Sequence, residues 1–394
     1  MVEPDFPEVT PLQMPDLSEE TREQLHAAAR LINEAERPLI IAGHGVLASG
    51  GTAQLQALAE TTGIPVITTL LGLSSFPTGH PLSMGMLGMH GMYWANIAVD
   101  EADLIIGLGM RFDDRVTGRV ATFAPHARII HVDIEPTQIG RNVPVEVSLP
   151  GDAKAVMHAL TPMVRNTPRP DWMERIGRLR REHPSLAIPH SDSLQTQHVL
   201  STLNDVLRDD PGATVVTGVG QHQMWAAQFL GFNQANTFVS SGGQGAMGFE
   251  VPAALGIQAG RPGTTVWSIA GDGGFQMTLQ ELVTAVEEHL PVKIALINNG
   301  HLGMVRQWQE MYFDNHLKAV PVPGPDYIKL AEAYGVGAVR VSEQEDVLAA
   351  LKQAKAYDGP FLIEFVVDQA ANVYPMVPPG GSLADTIEDP AIVV

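Results

Sequence analysis

Two apolar runs in the second half of the chain end in residues suited to a hard cation. TTVWSIAGDGG (264–274) sets Asp272 among glycines, and VKIALINN (292–299) closes on Asn298 and Asn299. Asn299 follows Asp272 by 27 positions, room for one strand–helix–strand crossover. A carboxylate, a carboxamide and a loop carbonyl, that of His301, are the oxygen donors that Mg²⁺ bound to a diphosphate prefers. Glycine clusters fall at the ends of these runs and their neighbours, in GVGQHQ (218–223), SGGQGAMG (241–248), GDGG (271–274) and NNGHLG (298–303). Without a Cβ the backbone can approach a ligand closely and turn its N–H groups toward phosphate oxygens. The structural alternative makes Asp272 the cap of a helix beginning near Thr278, with the asparagines merely turning the chain.

Those residues require strands that end at one edge. SEETREQLHAAARLINEAE (18–36) has helical spacing, with Ser18 as cap and Leu25, Ala28, Ala29 and Ile32 on one face. Buried-type strands follow in PLIIAGHG (38–45), IPVITTL (64–70), DLIIGLG (103–109) and RIIHVDI (128–134). The pattern pauses at NTPRPDW (166–172), before a charged helix over 173–183. A second series then runs through 213–220, 236–243, 264–274, 292–299, 337–341 and 360–368. Strands that alternate with helices and lack in/out polarity indicate parallel sheets covered on both faces, with ligands at the carboxyl ends of the strands. The expected class is α/β with two doubly wound domains: a linker over 1–17, a first domain over 18–165, a linker over 166–190 and a second domain over 191–394.

Composition bounds the partners. With 394 residues, 45% of them apolar, the chain can fill two cores of ordinary size. Lys and Arg number 24 against 44 Asp and Glu, and the net charge of −20 argues against nucleic acid or an anionic membrane. A phosphate-bearing ligand must therefore be held by local groups. The absence of cysteine excludes disulfides, thiolate metal sites and cysteine nucleophiles together. MVEPDFPEVTPLQMPDL has the layout of neither a signal nor a transit peptide, and no apolar run approaches bilayer-spanning length. The expectation is a soluble cytoplasmic protein.

GDG followed by NN at this spacing resembles the thiamin-diphosphate motif. The surrounding GDGGFQMTLQELVTAVEEHLPVKIALINNGHLGMVRQWQ (271–309) is similar to the large catalytic subunit of acetolactate synthase. The likeness extends to GMLGMHG (85–91), ADLIIGLGMRFDDRVTG (102–118), GQHQMWAAQ (220–228) and NVYPMVPPGGSL (372–383). It implies Mg²⁺ held by Asp272, Asn299 and the His301 carbonyl, and thiamin diphosphate held by Val219, Gly220, Gln221, His222, Gly273, Gly274, Leu302 and Gly303. Gly245 and Met247 would meet the aminopyrimidine, while Met304, Val305 and Trp308 would face substrate from one helix. An indole wall contacts one extra methylene of 2-oxobutyrate, a gain of about 1–3 kcal/mol that tunes preference without excluding pyruvate. Taken alone, Met304 and Trp308 also admit ordinary core packing, as the weaker reading.

The resemblance also implies FAD in the first domain, at Gly43, Gly45, Thr69, Leu70, Met89, His90, Arg111, Asp113, Arg115, Asp133 and Asp152, with Arg115 near the substrate as well. Without the family, GHG (43–45) is as readily a turn, since the full dinucleotide fingerprint is missing. Three positions depart from the family's usual residues: Gly218 for aspartate, Gln244 for leucine and Glu250 for glycine. A carboxylate at 250 would repel a diphosphate if it pointed inward and would be harmless facing solvent.

The implied reaction decarboxylates pyruvate on thiamin diphosphate and joins the hydroxyethyl unit to pyruvate or 2-oxobutyrate, in branched-chain amino acid biosynthesis. The implied assembly is a homo-oligomer with a small regulatory subunit. In the family, the glutamate that activates the cofactor lies on a pyrimidine-binding domain preceding the FAD domain. This sequence is expected to begin after it, the domain being truncated, supplied by a separate chain or lost, so that the chain alone is weakly active or inactive. The alternatives are a related thiamin/FAD enzyme such as pyruvate oxidase, or a non-catalytic cofactor-binding or assembly subunit; RFDDRVTG (111–118) and MVRQW (304–308) weigh against the oxidase.

Overall fold

The computed structural model describes residues 16–392; most of the segment expected as an N-terminal linker, residues 1–15, lies outside them. Among the described residues, twelve strands form two six-stranded sheets, in both of which every pairing is parallel. The first contains β1 (Pro38–Ala42), β2 (Val66–Thr68), β3 (Ser83–Met86), β4 (Leu104–Leu108), β5 (Arg128–Asp133) and β6 (Val147–Pro150), in the order β3-β2-β1-β4-β5-β6. The second contains β7 (Thr214–Thr217), β8 (Phe238–Ser240), β9 (Val266–Gly271), β10 (Lys293–Asn298), β11 (Gly337–Val341) and β12 (Phe361–Val366), in the order β11-β12-β10-β9-β7-β8.

The central strands are buried on both faces, and successive residues enter opposite cores. On β1, Leu39 and Ile41 join one cluster while Ile40 and Ala42 join the other. On β9, Trp267 and Ile269 face one side, Val266 and Ala270 the other. This explains the uninterrupted apolar runs of the sequence. In the first sheet the chain reverses its direction of winding between β1 and β4, and in the second between β7 and β9, before a further reversal places β12 inside β11. Crevices form at such points, beyond the carboxyl ends of the strands.

The first helix runs Glu19–Glu34, and Ser18 Oγ accepts a bond from Thr21 N at 3.1 Å. Leu25, Ala28, Ala29 and Ile32 are buried, as the spacing predicts. The segment from 166 onward is more tightly packed than a linker composition suggests. Its helix, Pro170–Glu182, sinks Trp172 and Ile176 into the first unit. Just before it, Arg169 is buried, donating to Ala35 O at 2.9 Å, Ile32 O at 2.9 Å and Thr62 O at 3.0 Å. One guanidinium thus satisfies carbonyls at the ends of the helices Glu19–Glu34 and Thr52–Thr62, which otherwise have no intrahelical partner.

The two sheets share a core boundary. Leu73 and Met86 of the first unit lie in the cluster formed mainly by the second. Phe232 N donates to Thr78 Oγ1 at 3.0 Å, and Gln228 Nε2 donates to His90 O at 2.9 Å. After β12 the chain returns to the first unit, where Val377 N donates to Met89 O at 2.8 Å and Leu383 enters a first-unit core. Replacing Arg169 by Ala should cost about 2–4 kcal/mol in chemical denaturation, because several carbonyls lose a charged donor. Arg169→Lys should recover only part of that loss, since an ammonium lacks the planar fork that reaches them.

Candidate active site

Three helices begin at the carboxyl ends of β7, β9 and β10: Gln221–Phe229, Asp272–Thr278 and Gly303–Tyr312. Their N-cap residues are Gly220, Gly271 and Leu302, and none offers a side chain to the first-turn N–H groups. Side chains cap other helices at Ser18, Asp152 and Asp326, while further helix starts, such as those after Gly51, Met92 and Gln195, also lack a side-chain cap. The three uncapped starts line a single cavity of about 270 Å³. First-turn N–H groups and the positive ends of three helix dipoles give that cavity the character that suits an anion.

One carboxylate faces the same space. Asp272 is 3% exposed, and its Oδ2 is buried without a hydrogen-bond partner. Burial pushes the carboxyl up to about 6, against the opposing pull of the Gly273 and Gly300 N–H groups. A buried oxygen in that condition fits a cation. Because β9 and β10 pair directly, Asn299 emerges beside Asp272. Asn299 Oδ1 accepts from His301 N at 3.0 Å, and its Nδ2 donates to Gln221 Oε1 at 3.2 Å. Gln221 Nε2 in turn donates to Gln307 Oε1 at 3.0 Å and Ala371 O at 2.9 Å. The Gln221 side chain therefore binds the wall together. A Cβ on Gly303 would overlap Gln221 Oε1 and lie 2.6 Å from Asn299 Nδ2, so this network needs glycine there. Among the described residues, no three His, Cys, Asp or Glu side chains gather around a metal position. A cation here would rely on Asp272, amide and carbonyl oxygens, and the oxygens of an anionic ligand.

His222 is buried in the same wall with Nε2 unpartnered, and burial lowers its pKa to about 4. At neutral pH it is an uncharged imidazole, able to donate one hydrogen bond.

The comparisons with known proteins agree with this geometry. Residues 218–365 match the family described as "Thiamine pyrophosphate enzyme, C-terminal TPP binding domain", and residues 25–160 match "Thiamine pyrophosphate enzyme, central domain". The chain belongs to the thiamine pyrophosphate enzymes. It is similar to the acetolactate synthase of Mycobacterium bovis, 45% identical over 372 residues that cover 91% of this chain and 60% of that protein. The acetolactate synthase large subunit of Corynebacterium glutamicum is 44% identical over 393 residues, 97% of this chain and 62% of that protein. A probable acetolactate synthase large subunit of Methanocaldococcus jannaschii is 43% identical over 377 residues, 93% and 63% respectively. The chain thus spans about three fifths of the length of these relatives. Among the described residues, no helix is long and apolar enough to cross a membrane.

Of the residues expected at the cofactor, metal and substrate, this thiamine pyrophosphate enzyme gathers Val219, Gly220, Gln221, His222, Met247, Asp272, Gly273, Gly274, Asn299, His301, Leu302, Gly303, Met304 and Val305 around the first cavity. A second cavity of about 610 Å³ opens between the sheets. It is lined by Thr69, Leu70, Met89, His90, Arg111, Asp113 and Arg115 from one unit, and by Gly245 and Trp308 from the other. The cavities abut, sharing Val219, Gln223, Met224 and Met304. Sequence reasoning missed Gln223 and Met224, whose helical positions carried no distinguishing signal.

Gly43, Gly45, Asp133 and Asp152, expected at the flavin, do not line the second cavity. Gly43 and Gly45 pack on Gly109: a Cβ at 43 would lie 2.7 Å from Met110 Cβ, and one at 45 would lie 2.6 Å from Gly109 Cα. These glycines allow the ends of β1 and β4 to touch at the crevice. Asp133 accepts from Glu135 N at 2.9 Å, and Asp152 caps the helix Ala153–Leu160 through Ala155 N at 3.0 Å. Met84 and Met92 are core residues.

Gln244 is exposed. Glu250 takes neither of the orientations expected for it: it is fully buried, does not line the cavity, and its oxygens make no hydrogen bond of good geometry, although the Glu250 and Gly248 N–H groups pull its carboxyl down against burial. Burial raises its carboxyl from 4.5 to about 7. A folded-state pKa above the unfolded one means that the contribution of Glu250 to stability is most favourable below about pH 4.5 and declines as pH rises to about 7. Glu250→Gln removes this dependence. Denaturant titrations across pH 5–8 should show the wild type losing about 3 kcal/mol relative to the variant, most of it before pH 7.

Proposed function

We propose that this chain carries the diphosphate-, magnesium- and substrate-binding face of an acetolactate synthase. The observation that carries the reading is the unpartnered Asp272 Oδ2 among three uncapped helix starts, in a chain 43–45% identical to proteins named acetolactate synthase. Thiamin diphosphate, when bound, supplies the electron sink that lets a 2-oxo acid lose CO₂. Asp272, Asn299 and the His301 carbonyl would hold Mg²⁺, and the N–H groups of Gly273, Gly274, His222 and Gly303 would hold the diphosphate. Neutral His222 would add a donor without adding charge. Met247 would support the aminopyrimidine, with Gly245 leaving room nearby.

The residues shared by the two cavities set the substrate side. Met304 and the half-exposed Val305 give an apolar rim that limits water. Trp308 stands on the same helix, its ring edge-on to Tyr312 at 5.5 Å, and lines the second cavity. Pyruvate is the donor in this reading, with pyruvate or 2-oxobutyrate as acceptor. The second cavity has the size and the donors for the isoalloxazine of FAD: Arg111 and Arg115 offer guanidinium forks, and Thr69, Leu70, Met89 and His90 supply a mixed wall. The homo-oligomer and the small regulatory subunit belong to this reading too, the latter because several relatives are named large subunits.

Calorimetric titration with thiamin diphosphate tests the site. Binding should require Mg²⁺, and Asp272→Ala should weaken it by about a hundredfold or more, the scale of losing a metal-held ligand. Equal binding by wild type and Asp272→Ala, or binding indifferent to Mg²⁺, would overturn the assignment. In an active preparation competing pyruvate against 2-oxobutyrate, Trp308→Leu should cut the preference for 2-oxobutyrate about tenfold, as expected for one methylene contact.

A further inference from the structure

Glu250 is a buried, charged-type side chain that the reading above leaves unused. It opens the helix Glu250–Gly260, which packs on β7, β9 and the helix Asp272–Thr278. These elements surround the crevice of the second sheet. A Cβ on Gly218 would overlap Glu250 Oε2 and lie 2.5 Å from Cδ. A Cβ on Gly274 would lie 2.7 Å from Oε1. The carboxyl is thus wedged between the end of β7 and the turn that starts the Asp272 helix, directly behind the cavity wall. The loop leading into Glu250 is fixed to the same helix: Thr278 Oγ1 donates to Gly248 O at 3.0 Å, and Gly248 has a φ of +78°, which favours glycine.

We infer that Glu250 is a positioning residue for the Gly273–Gly274 turn, acting through a contact that only glycine at 218 permits. Any side chain at 218 would claim the space the carboxyl occupies, and any shorter side chain at 250 would leave the turn unsupported on its inner side. Close packing gives such a gap no neutral outcome: the turn collapses inward or a void remains. The role rests on the cavity being a diphosphate site, because the N–H groups displaced by such a collapse are those that would meet phosphate oxygens.

The test compares wild type with Gly218→Ala, Glu250→Ala, Glu250→Gln and the double variant Gly218→Ala/Glu250→Ala, reading thiamin diphosphate affinity with Mg²⁺ and thermal midpoint for each. Gly218→Ala and Glu250→Ala should each weaken binding about tenfold, and the double variant should bind no worse than Glu250→Ala, because the two changes remove one contact. Glu250→Gln keeps the shape and should bind within about threefold of wild type. If Gly218→Ala fails to fold, a folded double variant with the affinity of Glu250→Ala supports the pairing, and an unfolded one refutes it. Additive losses, or wild-type affinity in Glu250→Ala, would overturn the positioning role while leaving the diphosphate reading intact. No binding by wild type would overturn that reading and the role together.

Discussion

The site depends on the parallel pairing of β9 with β10, in which Gly271 stands opposite Ile297. The residues that follow these partners leave the sheet at nearly the same height and on the same edge. Asp272 and Asn299 therefore need no long loop to reach one another. Parallel strands require crossover helices, and each helix here starts within a few residues of its strand's end, delivering its N-terminal N–H groups to the edge the carboxylate occupies. Cation donors and anion donors are thus products of one topology.

The same arrangement is costly to the fold. Three helix starts have no side-chain caps, and Asp272, Glu250 and His222 each bury polar atoms without partners. Caps of the kind that Ser18 and Asp152 provide would contribute about 1 kcal/mol each, and they are absent where an anion would do the same work. The two apolar cores of each unit offset this deficit, which explains how a site with so many unmet groups stays in place. Arg306, buried in the helix Gly303–Tyr312, reinforces it by donating to Ala371 O at 2.8 Å and Asn372 Oδ1 at 2.7 Å.

Both parallel sheets were legible because their central strands are fully buried and so read as continuous apolar runs. The edge strands of the first sheet were not, although β8 and β11 at the edges of the second were. β3, SMGM, contains a glycine, and β6, VSLP, ends in proline; both are short and half-exposed, so neither shows the buried pattern. Asp272, Asn299 and the glycine turns were legible because chemistry fixes residue type and spacing together. Arg169 and Glu250 were not, since their meaning depends on partners far along the chain, the helix ends at Ile32 and Thr62 in one case and Gly218 and Gly274 in the other. Local pattern carries no trace of such long-range contacts. The helix Pro170–Glu182 shows the same limit: its charged composition suggested a connector, while Trp172, Ile176 and Leu179 form a narrow stripe that is buried.

The return of the chain after β12 has a temporal side. Val377 and Leu383 complete a core otherwise built from residues 39–176. During synthesis those two arrive some two hundred residues after the rest of that core. Until they emerge, that core lacks two of its members. Domains commonly fold in order of emergence. Here the core of the earlier unit takes its last members from beyond the later one.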